Sequence, residues 1–234
     1  MPDLCLAIEI SNPSADPGPP GTGPGVALGR LIPGRDVEHL GAELISRERR
    51  HDDDLMPAID RLFTRCGAGP RDLARVGVSI GPGGFTSLRI AVAAAKMICE
   101  ATGAACVGVP SAEVVARRVA APGAFAVALA SKGDTAFVTR FSEPRTPDGP
   151  GRLVGADDIE SLGVQLLLAD RFLPEPLRER AAAAKTEIRA PVFDPGACLE
   201  CAAEAHAVDP LELLPLYPRL PEAVVKWREL HPRH

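Results

Sequence analysis

A strand, a turn of three glycines and a proline, and a helix of small residues follow one another without a break between Val76 and Thr102. Val76-Gly77-Val78-Ser79-Ile80 has the apolar pattern of a buried strand. Gly81-Pro82-Gly83-Gly84 interrupts it, a strongly helical run covers Ile90 to Thr102, and Gly103 stops the helix. That helix carries Ala91, Ala93, Ala94 and Ala95, while its larger residues, Leu88, Val92, Met97 and Ile98, cover more than one face. A helix apolar on several faces is buried, either in a core or at a subunit interface.

The flanking sequence extends the alternation. Leu4 to Ile10 reads as a buried strand ending in Ser11-Asn12-Pro13. Residues 12–25 hold five prolines among glycines, a composition that excludes helix and strand, and residues 26–29 read as the return strand of a hairpin with an overlong tip. Residues 37–46 read as a third strand. Asp52-Asp53-Asp54 then opens a helix with Leu55, Ile59, Leu62 and Phe63 at helical spacing. Strands are expected at 106–109, 125–129, 135–141 and 165–169, and helices at 111–119, 175–185 and 195–207. The order β-β-β-α-β-α, with further strands and helices behind it, indicates an α/β architecture.

Composition excludes several classes of function. The 234 residues carry 26 Lys+Arg against 31 Asp+Glu, a net charge of −5, so a basic footprint for nucleic acid is missing. Seven Phe, one Trp and one Tyr are too few for base-stacking platforms. No run of about 18 apolar residues offers a membrane span. The first ten residues carry Asp3 and Glu9 and no basic start, so they read as a strand, not a leader. The six cysteines lie mostly in apolar or helical patterns and read as reduced thiols of a cytoplasmic protein.

The chemical candidates are few. Gly77-Val78-Ser79-Ile80-Gly81 matches a hydrolase elbow, but Ser79 lies inside the strand and the turn comes later. Gly81 to Arg89 lacks the Lys-Ser/Thr of a Walker loop; its glycines serve either to cradle an anion or to pack the helix on the sheet. Cys198-x-x-Cys201 has no second pair and reads as core thiols. The histidines (39, 51, 206, 231 and 234) form no pair at i, i+4, and His231-x-x-His234 sits in the tail, so neither a metal site nor a catalytic residue is assigned.

Ile80-Gly81-Pro82-Gly83-Gly84-Phe85-Thr86-Ser87-Leu88-Arg89-Ile90-Ala91-Val92-Ala93-Ala94-Ala95-Lys96 closely resembles the GPGSFTGLRIGVATAK-type signature of the bacterial tRNA threonylcarbamoyladenosine biosynthesis proteins TsaB, also called YeaZ. Leu6 to Ser11 is similar to that family's opening LAIDTS strand. Arg50-His51 and Leu55-Met56-Pro57 resemble its first helix, Val107 to Ser111 its GVSSL-type segment, and Pro215-Leu216-Tyr217-Pro218-Arg219 with Lys226-Trp227 its tail. The resemblance spans nearly the whole chain and is dense from about 50 to 115.

The resemblance implies an actin-like, Hsp70-like (RNase H-like) fold of two small lobes, 1–105 and 106–210, with a tail over 211–234. It implies a non-catalytic scaffold of the complex that transfers a threonylcarbamoyl group to the adenosine beside the tRNA anticodon. The partners would be a TsaD-like metalloprotein, a TsaE-like ATPase and a second copy of the chain, with tRNA reached only through the complex. The implied interface comprises Leu55, Ile59, Leu62, Phe63, Phe85, Thr86, Leu88, Arg89, Val92 and Lys96. Ser11, Gly83 and Gly84 would be the anion- or nucleotide-facing positions; no cofactor is held tightly, with ATP or ADP at a partner interface as the remaining option. The family's Asp-Thr-Ser is Glu9-Ile10-Ser11 here, its second-lobe D-A-R-x-x-E-V-Y pattern is Ala130 to Phe137, and two signature positions are Gly84 and Ser87. These departures describe a divergent member that keeps the interface helices and has lost ligand-facing groups. The rival expectations are a small actin-like nucleotide hydrolase or kinase, and a repurposed actin-like interaction module.

Overall fold

The computed structural model describes residues 3–15, 18–34, 36–45, 51–120, 123–220, 224, 226–227 and 230–231, without the side chains of 51–53. Arg50 and His234, residues 16–17 of the proline-rich loop, and the side chains of His51, Asp52 and Asp53 therefore lie outside the described residues. The chain opens with β1 (Leu4–Glu9), β2 (Gly25–Arg30) and β3 (Glu38–Leu44), an antiparallel meander. Helix α1 (His51–Cys66) leads to β4 (Leu73–Gly81), and α2 (Phe85–Thr102) to β5 (Ala105–Pro110). The two helices are the crossovers that parallel pairing of β1 with β4 and β4 with β5 requires, and the sheet order is β3-β2-β1-β4-β5.

After α3 (Ser111–Ala116) the chain builds a second sheet from β6 (Phe125–Lys132), β7 (Thr135–Glu143), β8 (Thr146–Pro147), β9 (Arg152–Val154) and β10 (Leu166–Ala169). Helix α4 (Glu175–Ala183) precedes the edge strand β11 (Glu187–Arg189), and α5 (Pro195–Glu204) follows it. The order is β11-β10-β6-β7-β8, with β9 also on β7.

Side-chain size explains the layering of the first sheet. Leu4, Leu6 and Ile8 of β1 join Val26, Leu28, Val76 and Val78 beneath α1 and α2. The opposite face presents Cys5, Ala7 and Ala27, which lets α5 lie close. A Cβ placed on Gly77 would fall 2.2 Å from the Cβ of Ala202, so glycine is required at that approach. Asp194 caps α5 by accepting from Gly196 N at 2.7 Å. At the other end Arg75 Nη1 donates to the carbonyls of Ala202 at 2.7 Å and Ala205 at 2.8 Å, a cation at a helix C-terminus. Cys198 and Cys201 belong to this core, as expected of thiols on an apolar helix face, and burial pushes both thiols above their usual pKa.

The lobes meet through apolar packing. Ala112, Val115 and Ala116 of α3 sit against Phe125 and Phe141, whose rings stack at 5.1 Å and 5°. The expected cut at residue 105 does not coincide with a sheet limit: β5 closes the first sheet, and α5, from late in the chain, covers its second face. Helix α2 begins at Phe85 and not at Ile90, because Gly84 is its extended N-cap. The proline-rich loop is docked, with Gly23 N donating to Phe193 O at 2.8 Å.

Candidate functional site

Two surfaces gather the positions singled out in the sequence: the outer side of α1 and α2, and the cleft between the lobes.

The helix residues divide by facing. Leu55, Ile59, Leu62, Phe63, Leu88 and Val92 are all buried, and all but Leu88 belong to the first core, so their side chains hold α1 and α2 in place and are not part of the exposed surface. The periodicity that found them is the periodicity of the inward stripe. Of the ten positions, Phe85, Thr86 and Arg89 are exposed and Lys96 is half-buried. The outward face of α2 follows from i, i+4 spacing: Phe85 (58% exposed), Arg89, Ala93 and Met97 (72% exposed). On α1, Met56 faces outward.

The segment after α5 runs beside this face. Val208 N bonds Cys106 O at 2.8 Å, Lys96 Nζ reaches Leu211 O at 3.3 Å, and Leu213 is buried in the first core. The Tyr217 ring lies 5.3 Å from that of Phe85, and the Arg89 guanidinium sits 5.2 Å from the Phe85 centroid on top of it. Leu211, Leu214 and Leu220 of the same segment are exposed. The result is an apolar strip edged by two cations, in a protein otherwise poor in exposed aromatics. The position of this strip against α2 depends on pairings more than 100 residues apart, which no local pattern records.

The cleft encloses about 220 Å³ and is walled by Asn12, Gly83 and Gly84 from the first lobe and Ala130, Ser131 and Phe172 from the second. Its floor is closed by the chain itself. Gly84 N donates to Ser11 O at 2.7 Å, and a Cβ on Gly83 would stand 2.1 Å from that same oxygen. Asn12 Nδ2 bonds Ser11 Oγ at 2.9 Å and Pro82 O at 3.2 Å. Gly83 and Gly84 thus let the loop after β1 pack closely on the N-terminus of α2, a contact different from either use read from the sequence. Ser11 is fully buried, and its hydroxyl donates to Glu9 Oε1 at 2.6 Å.

Glu9 is fully buried as well. Its Oε1 also accepts from Ser11 N at 2.8 Å, while Oε2 has no hydrogen-bond partner. Burial pushes its carboxyl above the usual carboxylate range, and the Ser11 bonds only partly offset this. Ser79, next to it, is also buried and is paired to Ser111 Oγ at 2.8 Å. A serine in mid-strand, sealed from solvent and bonded to another serine, has no route to a substrate, which removes the hydrolase motif as a site. Among the described residues no group of three or more His, Cys, Asp or Glu is placed to hold a metal, and no helix is long and apolar enough to cross a membrane.

Comparison with known proteins bears on both surfaces. Residues 43–143 match the family model TsaD, tRNA N6-adenosine threonylcarbamoyltransferase. A tRNA N6-adenosine threonylcarbamoyltransferase from Anaeromyxobacter dehalogenans (strain 2CP-C) is 43% identical over 61 residues, which is 26% of this chain and 18% of that enzyme's length. Among solved structures, YeaZ from Pseudomonas aeruginosa superposes with a TM-score of 0.68 at 17% identity, over 92% of this chain and 99% of that one. A protein described as similar to peptidase YeaZ from Pseudomonas aeruginosa gives 0.69 at 18% identity, over 93% and 100%. The chain has the YeaZ fold, a ribonuclease H-like, actin-like α/β arrangement of two lobes. The matched segment holds α1 and α2, the helices whose outer side is exposed, and excludes the tail residues that lie against α2.

Proposed function

We propose that this chain is a divergent member of the TsaB (YeaZ) family, a non-catalytic scaffold in the complex that attaches a threonylcarbamoyl group to the adenosine beside the tRNA anticodon. The observation that carries the reading is the exposed strip in which Tyr217 of the tail segment lies on Phe85 of α2, Phe85 being exposed in a signature segment whose Leu88 and Val92 are core. An exposed apolar strip with cations at its edge is the surface a protein partner covers. The partner is a TsaD-type subunit, which supplies the metal and the chemistry; the match of residues 43–143 to the TsaD model supports a related face on both chains, and hence a second copy as a competing occupant. A TsaE-type ATPase and tRNA join through that assembly, in the cytoplasm. The net charge of −5 fits a subunit that leaves most tRNA contact to others.

The same reading assigns no nucleotide to this chain alone. Ser11 O occupies the N–H of Gly84, the last of the glycine turn, Glu9 is sealed away from the cleft, and about 220 Å³ falls below the roughly 300–1,000 Å³ of ordinary ligand pockets. The test is co-purification with the TsaD-type protein of the same cell, followed by light scattering on the eluted peak. A stoichiometric complex lost in Ala93→Glu supports the scaffold. A folded wild-type chain that binds no such protein, or that turns over ATP by itself, overturns it.

A further inference from the structure

We infer that residues 213–219 form a latch that couples the outer face of α2 to the wall of the interlobe cleft, with Arg219 as its catch. The segment is tied down at both ends. At the first lobe, Leu213 is buried in the core and Leu216 N donates to Ile80 O at 2.7 Å, with Tyr217 laid on Phe85. Two residues on, Arg219 crosses to the second lobe. Its guanidinium donates to Ala130 O, to Thr135 O at 3.0 Å and to Thr135 Oγ1 at 2.7 Å.

The receiving hairpin needs that catch. The β6–β7 ladder loses register between Leu129 and Lys132, and Ala130 sits at φ +50°, a left-handed conformation that residues with a side chain rarely adopt. The irregular step leaves carbonyls off the ladder, and the planar five-donor fork of an arginine takes two of them at once. Ala130 and Ser131 of this hairpin form part of the second-lobe wall of the cleft, beside Phe172. A load on Phe85 or Tyr217 is therefore two residues of chain away from a change in the cleft. The regulatory meaning, that a partner seated on α2 sets the cleft, rests on the scaffold reading above; the coupling itself does not.

The test is hydrogen exchange by mass spectrometry on the full chain without any partner. Arg219→Ala is expected to speed exchange of the 130–137 amides by about tenfold while the first sheet keeps its protection. Phe85→Ala, which does not touch the hairpin, is expected to speed the same amides by about threefold, and the double variant to match Arg219→Ala alone. If Arg219→Ala does not fold, Arg219→Lys, which keeps the charge and loses the fork, takes its place with the same direction. Unchanged hairpin exchange in the Arg219 variant, no response to Phe85→Ala, or two effects that simply multiply would each overturn the latch. None of those results touches the partner reading, and failure to bind a TsaD-type protein leaves the latch standing.

Discussion

Two neighbouring positions on α2 offer a sharp contrast. Val92 is 4% exposed and faces the sheet, whereas Ala93, one residue on, faces solvent. Placing a glutamate at Val92 removes about 1.5–3 kcal/mol of apolar burial. The new carboxyl must also be neutralised or left unpaired in the core, and neutralising a group of pKa near 4.3 at neutral pH costs about 3.7 kcal/mol. The combined loss of roughly 5–7 kcal/mol is comparable to the whole stability of an ordinary domain, about 5–15 kcal/mol. Val92→Glu is therefore expected to be unfolded or nearly so, and its failure to bind a partner carries no information about the interface. Ala93→Glu leaves the core untouched and is expected to change stability by no more than about 0.5 kcal/mol. If the α2 strip is the partner face, it nonetheless places a desolvated charge there and abolishes the complex. Urea denaturation followed by circular dichroism ranks the two for stability, and light scattering with a TsaD-type protein reads association. A folded Val92→Glu chain, or an Ala93→Glu chain that unfolds, would refute the assignment of faces; a folded Ala93→Glu chain that still binds would refute the strip.

Glu9→Gln is expected to remove a pH dependence. Burial raises the folded pKa of Glu9 above its unfolded value, so its favourable contribution is complete below the unfolded pKa and is lost as pH rises toward the folded one. Wild type should melt higher near pH 5 than near pH 8, and the variant should flatten that slope and gain at neutral pH; thermal melts across that range decide it. Glu43 and Asp148 do not confuse the window, because bonding to arginines and backbone holds both below the usual range and their contribution is lost only at more acid pH. Gly77→Ala drives a methyl into Ala202 and should cost about 1–3 kcal/mol in urea, with partial recovery in the Gly77→Ala, Ala202→Gly double variant; additivity of the two would refute the contact. Phe125→Ala removes one ring of the stacked pair on the second sheet that α3 packs against and should cost about 3–5 kcal/mol, and a loss under about 1 kcal/mol would mean that the seat of α3 does not depend on that ring.

The sequence carries the first half of this fold openly. Strand β4, the glycine turn and α2 could be read from Val76 to Gly103 because each boundary has its own chemistry: alternation, a proline with glycines, and a left-handed Gly103 at φ +76° whose N–H bonds Cys99 O. What it could not carry is facing. Helix α2 is apolar on more than one side, so the pattern that picked out Leu88, Val92, Met97 and Ile98 did not say that the first two point inward and Met97 outward. The small strands β8, β9 and β11, of two or three residues each, fall below any periodic signal. Contacts between distant segments left no trace either: Cys198 Sγ lies 3.8 Å from Ile8 O across most of the chain, and Arg219 finds its carbonyls some 85 residues upstream. Glu9 in place of the aspartate of TsaB-type sequences is visible in the chain, but its burial away from the cleft, bonded to Ser11, is not, because one extra methylene changes reach rather than pattern.

The return of α5 to the first sheet has a consequence for how the protein is made. Residues 111–204 must be synthesised after β5 before the small-residue face of Cys5, Ala7, Ala27 and Gly77 receives its cover. At roughly 5–20 residues per second on the ribosome, that face stays open to solvent for about 5–20 s in every nascent chain. Alanine and cysteine in β1 and β2 offer a chaperone or a neighbouring chain less to grip than leucine would, so the same small side chains that admit the helix also limit the apolar surface the waiting sheet shows to that of Val107 and Val109 at β5.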